Sequence, residues 1–254
     1  MTETPPTVGL FVTCLVDLFR PSVGFAAVNL LERAGCRVVV PEGQTCCGQP
    51  AYNSGAREIA ASIAQNVLKS FHDFDYVVAP SGSCAAMLKL HLPSLFDDDS
   101  ASRAHADRLA KRTWELMSFL IDVRHFTDLT ASHNGSVSYH DGCSGLRELG
   151  VRDQPRLLLS SVDELELQEI DDAEVCCGFG GTFCVKYPSI SDAMAERKAD
   201  AIEAVGASVV LSGEMGCLMN IAGTLSRRGS DIEVRHTAEI LAGITDAPAI
   251  GAPK

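Results

Sequence analysis

A doubled cysteine pattern constrains this chain of 254 residues more than any other feature of its sequence. In the first half, a single cysteine is followed 32 positions later by a Cys-Cys-Gly triplet, and then by one further cysteine. The second half repeats this arrangement with a spacing of 33. The repeated cysteines are Cys14, Cys46, Cys47 and Cys84 in the first half, and Cys143, Cys176, Cys177 and Cys217 in the second. Because two matching spacings are hard to obtain by chance, the chain is predicted to contain two copies of one structural unit.

The segments around these cysteines predict an α/β fold. Short valine-rich runs precede the single cysteines, and their length and composition are typical of buried strands. These runs are residues 8–12, 76–79, 137–140 and 209–212. Helical stretches are predicted at residues 22–34, 57–71, 85–90, 191–205 and 218–225. Alternating strands and helices predict two pseudo-repeated halves, each a small parallel sheet flanked by helices, with cysteines at the carboxyl ends of the strands.

The connection between the halves is predicted from hydrophobic spacing. Residues 104–123 carry an apolar stripe at helical spacing, which predicts one long helix. The best candidate for a linker is the polar stretch 132–136. We therefore expect two domains, a first cysteine-rich unit at residues 1–127 and a second at residues 128–254.

Composition narrows the classes of function. The formal net charge is −12 and no cluster of Lys and Arg is evident, so nucleic acid is not expected as a partner. The first residues lack a basic start followed by an apolar run, and no apolar run approaches the ~18 residues needed to span a bilayer. We expect a cytoplasmic protein, in which ten cysteines indicate metal ligation or thiol chemistry rather than structural disulfides.

Four thiols in each half suit an iron–sulfur cluster. Adjacent cysteines on a loop can bind different irons of one cluster, and the following glycine lets the backbone approach and donate N–H bonds. Structural zinc sites usually contain Cys pairs separated by two to four residues, a spacing that neither half shows, although zinc and a redox-active vicinal disulfide remain alternatives. Cys36 and Cys184 lie outside the repeat, and we expect them to be small buried hydrophobic residues.

Several runs in one order carry a resemblance to a known family. They are CCGQPAYNSG, VVAPSGSC, YHDGC, CCGFGGTF and GCLMNIAG. The chain resembles the CCG, or cysteine-rich, domain of iron–sulfur proteins, as found in heterodisulfide reductase and in the iron–sulfur subunit of glycolate oxidase. It resembles above all the A-subunit family of bacterial L-lactate-utilisation complexes, over residues 8–245.

The resemblance implies a function, partners and a ligand set. It implies a cytoplasmic iron–sulfur subunit that works with other subunits, including a ferredoxin-type partner, in oxidising L-lactate to pyruvate, and that can associate peripherally with a membrane through them. It implies cluster ligation by all eight repeated cysteines. Some relatives have a further cysteine where this chain has Ser81 and Glu214, so a five-thiolate cluster is not expected. Relatives usually show His after the cysteine at 143, where this chain has Ser144.

Polar residues near the cysteines leave alternatives open. His140 and Asp141 are candidates for donors or proton partners to a cluster, or for residues satisfied by the backbone; His236 has the same two interpretations. Arg147 could offset thiolate charge or cap a loop. No flavin, nicotinamide or phosphate-binding signature is found. The leading hypothesis is an electron-transfer subunit. The alternatives are a thiol–disulfide catalyst that uses an open cluster, as in heterodisulfide reductase, and a zinc-bound scaffold.

Overall fold

The computed structural model describes residues 4–171 and 173–252. The chain forms two compact units that divide between Phe126 and Thr127. Each unit is an α/β structure with its own parallel sheet. Over the described residues, no helix combines the length and the apolar character that crossing a bilayer requires.

The first unit is built on a four-stranded parallel sheet with the order β2-β1-β3-β4. Its strands are β1 (Thr7–Leu10), β2 (Arg37–Val39), β3 (Tyr76–Ala79) and β4 (Thr113–Glu115). Its helices are α1 (Cys14–Phe19), α2 (Pro21–Arg33), α3 (Gln49–Asn53), α4 (Arg57–Ser70), α5 (Gly82–Ala86), α6 (Ala101–Arg112) and α7 (Leu116–Ser118). Wider π-type turns follow at Met87–His91 and Phe119–Val123, and a 3₁₀ turn at Pro93–Leu95. In both central strands, β1 and β3, every residue after the first is buried, which is typical of parallel strands that helices cover.

The second unit repeats this topology with the strand order β6-β5-β7-β8. Its strands are β5 (Ser132–Tyr139), β6 (Asp163–Glu169), β7 (Val209–Ser212) and β8 (Glu233–His236). Its helices are α8 (Cys143–Leu149), α9 (Asp153–Leu159), α10 (Phe183–Lys186), α11 (Pro188–Val205), α12 (Met215–Arg228) and α13 (Thr237–Ala242). All its strand pairs are parallel. The predicted fold class, two α/β halves with small parallel sheets flanked by helices, is confirmed.

The prediction of one long helix at residues 104–123 is wrong. Helix α6 ends at Arg112, and the next three residues form β4, which pairs with β3. Thr113 and Trp114 favour strands, and the Oε2 atom of Glu115 then caps the next helical turn by accepting the Ser118 N–H at 3.0 Å. Pairing with β3 therefore outweighs the helical spacing of the apolar residues.

The predicted linker at residues 132–136 is also wrong, because this stretch is the first part of β5. The strand pairs with β6, with a shift of register between Ser132 and Gly135. A bulge of this kind tolerates Gly and polar residues, which explains why the stretch looks like a loop in the sequence. Strands β6 and β8 lie at the two edges of this sheet and were not predicted.

Candidate metal centre

The single cysteines of both units lie at the carboxyl edge of their sheets. Cys14 and Cys143 are the first residues of α1 and α8, which follow β1 and β5. Cys84 and Cys217 lie in the first turns of α5 and α12, which follow β3 and β7. In parallel sheets this edge is the usual place of a ligand, and helix N-termini there offer N–H groups to anionic sulfur.

Side-chain amides hold the two CCG loops at the same edge. In the first unit, Gln44 accepts the Val12 N–H at 2.9 Å and donates to the Leu10 carbonyl at 3.3 Å, which ties the loop to the end of β1. In the second unit, Asn220 of α12 donates to the Cys177 carbonyl at 2.7 Å. Each adjacent cysteine pair is thereby brought to the cysteines that follow the central strands.

In the first unit the four thiols form a connected set. The thiols of Cys14 and Cys47 hydrogen-bond to the sulfur of Cys46, and Cys47 also bonds to Cys84. The bonds from Cys14 and Cys47 lower the pKa of Cys46 to about 2, although burial opposes the shift. The pKa values of Cys14 and Cys47 are raised, first by their bonds to the Cys46 sulfur and then by burial.

The second unit arranges its thiols in the same way. The Cys143 thiol and the Cys177 thiol bond to Cys176, and Cys177 also bonds to Cys217. The pKa of Cys176 is lowered to about 2 by these bonds, whereas the pKa values of Cys143 and Cys177 are raised. All ten cysteines, every one of which is described, are free thiols.

These thiol sets fit a metal or an iron–sulfur cluster. Within each set the hydrogen bonds favour a single thiolate, and removing further protons would place like charges side by side in a buried site. A bound cation replaces those protons and offsets the charge, which is why metal ligation stabilises several adjacent thiolates. Converging soft sulfur ligands favour iron–sulfur clusters, zinc or copper(I) over magnesium or calcium.

The backbone conformation at the third position of each CCG triplet requires glycine. Gly48 and Gly178 have φ values of +88° and +85°, a region that residues with a Cβ rarely adopt. Their N–H groups point to the sulfur of the first cysteine of the triplet, at 3.5 Å for Cys46 and 3.4 Å for Cys176. The turn thus donates a hydrogen bond to the sulfur that carries the negative charge.

The first unit opens to solvent beside its thiols. A cleft of about 420 Å³ is lined by Cys14 and Cys46, together with the side chains of Leu18 and Val40. Leu18 is 71% exposed, an unusual position for a large apolar side chain. Thr13, immediately before Cys14, has a φ of +75°, which is strained for a β-branched residue.

His140 distinguishes the second unit. It is 1% exposed, and its ligand nitrogen lies within 4.8 Å of the Cys177 and Cys217 sulfurs. Among the described residues neither ring nitrogen forms a hydrogen bond of normal geometry, although the backbone of Ala173 interacts with the ring. Burial, and then the charge of Lys198, lower the pKa of His140 to about 3, so the ring is neutral.

The other polar residues named from the sequence have structural partners. Asp141 is bound by Arg156 through both carboxylate oxygens, at 3.0 and 2.8 Å. The Nδ1 atom of His236 accepts the Ala238 N–H at 3.2 Å and so caps α13. Arg147 donates to the Glu174 carbonyl at 3.2 Å and holds the loop before the second CCG triplet.

Four further residues singled out in the sequence, two polar residues and the two cysteines outside the repeat, lie in different surroundings. Ser81 accepts the Cys84 N–H at 3.2 Å and thereby caps α5. The bond to Cys176 and burial raise the pKa of Cys143, and the charge of Glu214, at the start of α12, adds to this rise. Cys36 is buried as expected, and burial raises its pKa, whereas Cys184 is only half-buried and donates to the Gly181 carbonyl at 3.2 Å. These contacts are local to loops and helix ends.

Two charged residues near the second site, the half-buried Arg156 and the buried Lys198, were not identified from the sequence. No sequence pattern indicated the role of Arg156, because its partner Asp141 is distant along the chain. A pattern did indicate Lys198, since it lies on the same face of α11 as the buried residues Ala195 and Ile202. A lysine on the apolar face of a helix indicates a buried cation with a specific partner.

Two α/β units that each gather four thiols at the carboxyl edge of a parallel sheet define a tandem cysteine-rich protein. In agreement, the CCG cysteine-rich domain matches residues 8–89 and 137–222. Lactate utilization protein A of Geobacillus kaustophilus is 50% identical over 92% of this chain and 98% of its own length. The protein of the same name from Bacillus cytotoxicus is 45% identical over the same shares. The chain therefore belongs to the family of CCG cysteine-rich proteins that includes lactate utilization protein A.

A solved structure supports the fold alone. A hypothetical protein from Helicobacter pylori matches with a TM-score of 0.67 at 10% sequence identity, over 100% of this chain. The chain spans about half of that protein, 52% of its length. The resemblance stated from the sequence motifs is confirmed by the family match and by the relatives.

Proposed function

We propose that this chain is an iron–sulfur electron-transfer subunit of a system that oxidises L-lactate to pyruvate. The observation that carries the proposal is the pair of four-thiol sets, in a chain that matches lactate utilization protein A over nearly its whole length. Electron transfer requires a group that reversibly gains and loses a single electron. The thiols of the two sets are not such a group by themselves, whereas an iron–sulfur cluster is.

The eight cysteines of the repeat would hold the clusters, one set in each unit. A bound iron–sulfur cluster would supply the chemistry of accepting and releasing single electrons. The protein contributes soft thiolate ligands, the N–H donors of Gly48 and Gly178, and burial of one side of each site. We assign these roles to two cysteine-rich units at residues 1–127 and 128–254.

The oxidation of lactate itself is assigned to partner subunits. Removing two electrons from a 2-hydroxy acid commonly proceeds by hydride transfer, which requires an acceptor such as a flavin or nicotinamide. The sequence has no signature for either, so the partners, among them a ferredoxin-type iron–sulfur subunit, would carry the remaining steps in the cytoplasm. The exposed Leu18 and Val40 beside the first thiol set offer such a partner an apolar contact. Any contact with a membrane would be made through these partners.

One observation favours a second candidate function. Cys46 borders the open cleft and accepts hydrogen bonds that favour its thiolate form, and thiolates are the nucleophiles that attack disulfides. A thiol–disulfide catalyst with an open cluster would therefore use the first unit. Reduction of a disulfide substrate by the isolated protein would favour this candidate over electron transfer.

Anaerobic metal analysis tests the cluster. Protein purified and reconstituted without oxygen is expected to be brown and to contain iron and acid-labile sulfide. Cys47→Ser and Cys177→Ser should each remove the iron of one unit, because a hydroxyl is a poor substitute for a soft thiolate.

The matched control for these variants is Cys36→Ser, which changes a buried thiol outside the two sets and should retain the iron of the wild type. Colourless protein with stoichiometric zinc after reconstitution would support the scaffold alternative and contradict the proposal. An equal loss of iron in Cys36→Ser would contradict the ligand assignment.

A further inference from the structure

The two units differ at one equivalent position beside their thiols. Phe11 and His140 each stand three residues before the single cysteine of their unit. Their backbones are held identically, since the N–H of Phe11 donates to the Val78 carbonyl at 2.8 Å and the N–H of His140 donates to the Leu211 carbonyl at 2.8 Å. The same place in the fold therefore carries a phenyl ring in one unit and an imidazole in the other.

A second equivalent position differs in the same sense. The buried residues of α4 and α11 follow the same spacing, which pairs Val67 with Lys198. Lys198 is 1% exposed, donates to the Ala173 carbonyl at 3.3 Å, and is close enough to His140 for its charge to act on the ring. At these two positions the first unit thus carries hydrocarbon side chains, whereas the second carries an imidazole and a cation.

The imidazole of His140 lacks partners that its burial would ordinarily require. Buried ring nitrogens are nearly always hydrogen-bonded or bound to a metal, yet both nitrogens of His140 are unpaired within the described part of the chain. The atoms that converge on the ring are the sulfurs of Cys177 and Cys217, within 4.8 Å. Imidazole nitrogen and thiolate sulfur are both ligands of iron, and they occur together in some iron–sulfur centres.

We propose that His140 binds an iron ion of the second unit's cluster through a ring nitrogen, beside Cys177 and Cys217, so that the two units hold chemically different centres. This inference rests on the proposed function, in which clusters occupy both thiol sets. The nearby Lys198 offsets part of the thiolate charge around the metal, and the neutral nitrogen ligand adds no negative charge of its own. The second centre should therefore have the higher reduction potential.

Pulsed EPR of protein labelled with ¹⁵N-histidine tests the ligand directly. The reduced, anaerobically reconstituted wild-type chain should show a strongly coupled histidine nitrogen, which changes from the ¹⁴N to the ¹⁵N pattern on labelling. His140→Phe, which gives the second unit the residue of the first, should lose this coupling and change one midpoint potential while the other stays the same. His133→Phe, on the same strand β5, is the matched control and should keep both signals.

The outcomes separate the two proposals. Full iron and sulfide without a histidine nitrogen coupling in the wild type overturns the inference and leaves the proposed function standing. Protein that binds no iron or sulfide overturns both. Retention of the coupling in His140→Phe also overturns the inference. If His140→Phe does not fold, His140→Asn replaces it. The isotope comparison in the wild-type protein tests the ligand without any variant.

Discussion

At the scale of single residues, the CCG triplet concentrates the chemistry of each unit in a turn of three residues. The first cysteine accepts hydrogen bonds from two thiols and from the glycine N–H, so that it carries the negative charge of the set. The glycine supplies that N–H, and its positive φ lets the chain turn directly after the cysteine pair. In the second unit the turn is also tightly packed, since a Cβ at Gly178 would lie 2.5 Å from the Ser191 carbonyl oxygen.

This packing predicts a strong effect of Gly178→Ala. The left-handed backbone alone should cost about 1–2 kcal/mol, and the contact with the Ser191 carbonyl should add to that loss. Gly206→Ala is the matched control, because Gly206 also has a positive φ but a Cβ there would meet nothing within 4 Å. Urea denaturation of both variants measures the difference. Equal losses of stability would show that the Ser191 carbonyl moves away from the added Cβ without lowering the free energy of unfolding, which would contradict the prediction.

At the scale of elements, Arg156 joins three parts of the second unit. From α9 its guanidinium binds Asp141 just after β5, at 2.8 Å, and Glu169 at the end of β6, at 2.7 Å. The group also lies over the ring of Tyr139, 5.3 Å from its centre. Asp141 is buried and precedes Cys143 by two residues, so this network fixes the segment that presents the cysteine.

Removal of Arg156 should therefore destabilise the second unit strongly. Arg156→Met leaves the buried Asp141 carboxylate without its ion pair, which typically costs about 3–5 kcal/mol. Adding Asp141→Asn should recover part of the loss, since the uncompensated charge is then removed. Arg228→Met is the matched control, because its partners Asp200 and Glu203 are more exposed and solvent screens them.

Chemical denaturation measures the stability of the three variants, and iron content after reconstitution reports the state of the site. A loss in Arg156→Met no larger than that in Arg228→Met would contradict the structural role of the network. An iron content unchanged by Arg156→Met would show that the segment before Cys143 is held by other contacts.

At the scale of the whole molecule, two units with the same strand order each present one thiol set, and no organic redox group has a recognisable binding signature in the sequence. The isolated chain, even with its clusters loaded, is therefore expected not to oxidise L-lactate at a useful rate. Turnover should appear when partner subunits from the native host are added. Lactate-dependent dye reduction, measured with and without the partners, checks this expectation.

The control for that assay is the same partner mixture without this chain. If the mixture alone is fully active, this subunit is not the electron carrier of the system. If this chain alone turns over lactate, it is a catalyst and the division of labour proposed above is wrong.

Much of the fold followed from local patterns. Residues 76–79 and 209–212, predicted as strands, form β3 and β7, because central parallel strands are continuous apolar runs that need no outside information. Strand β4 and the start of β5 could not be predicted in this way. Thr113 to Glu115 continue a helical apolar spacing, and residues 132–136 are polar, so only pairing with a neighbouring strand makes them extended.

By itself, the sequence determined the doubling of the unit, its α/β class, the family to which it belongs and the eight thiols as candidate ligands. These properties are encoded in spacing and composition, which are readable along the chain. Only the tertiary structure decided which groups surround each thiol set, since Phe11 and His140, or Val67 and Lys198, become equivalent only through the matching positions of their strands and helices. Contacts between residues distant in sequence depend on how the elements pack, and that packing sets the burial and the charge on which the chemistry of each site depends.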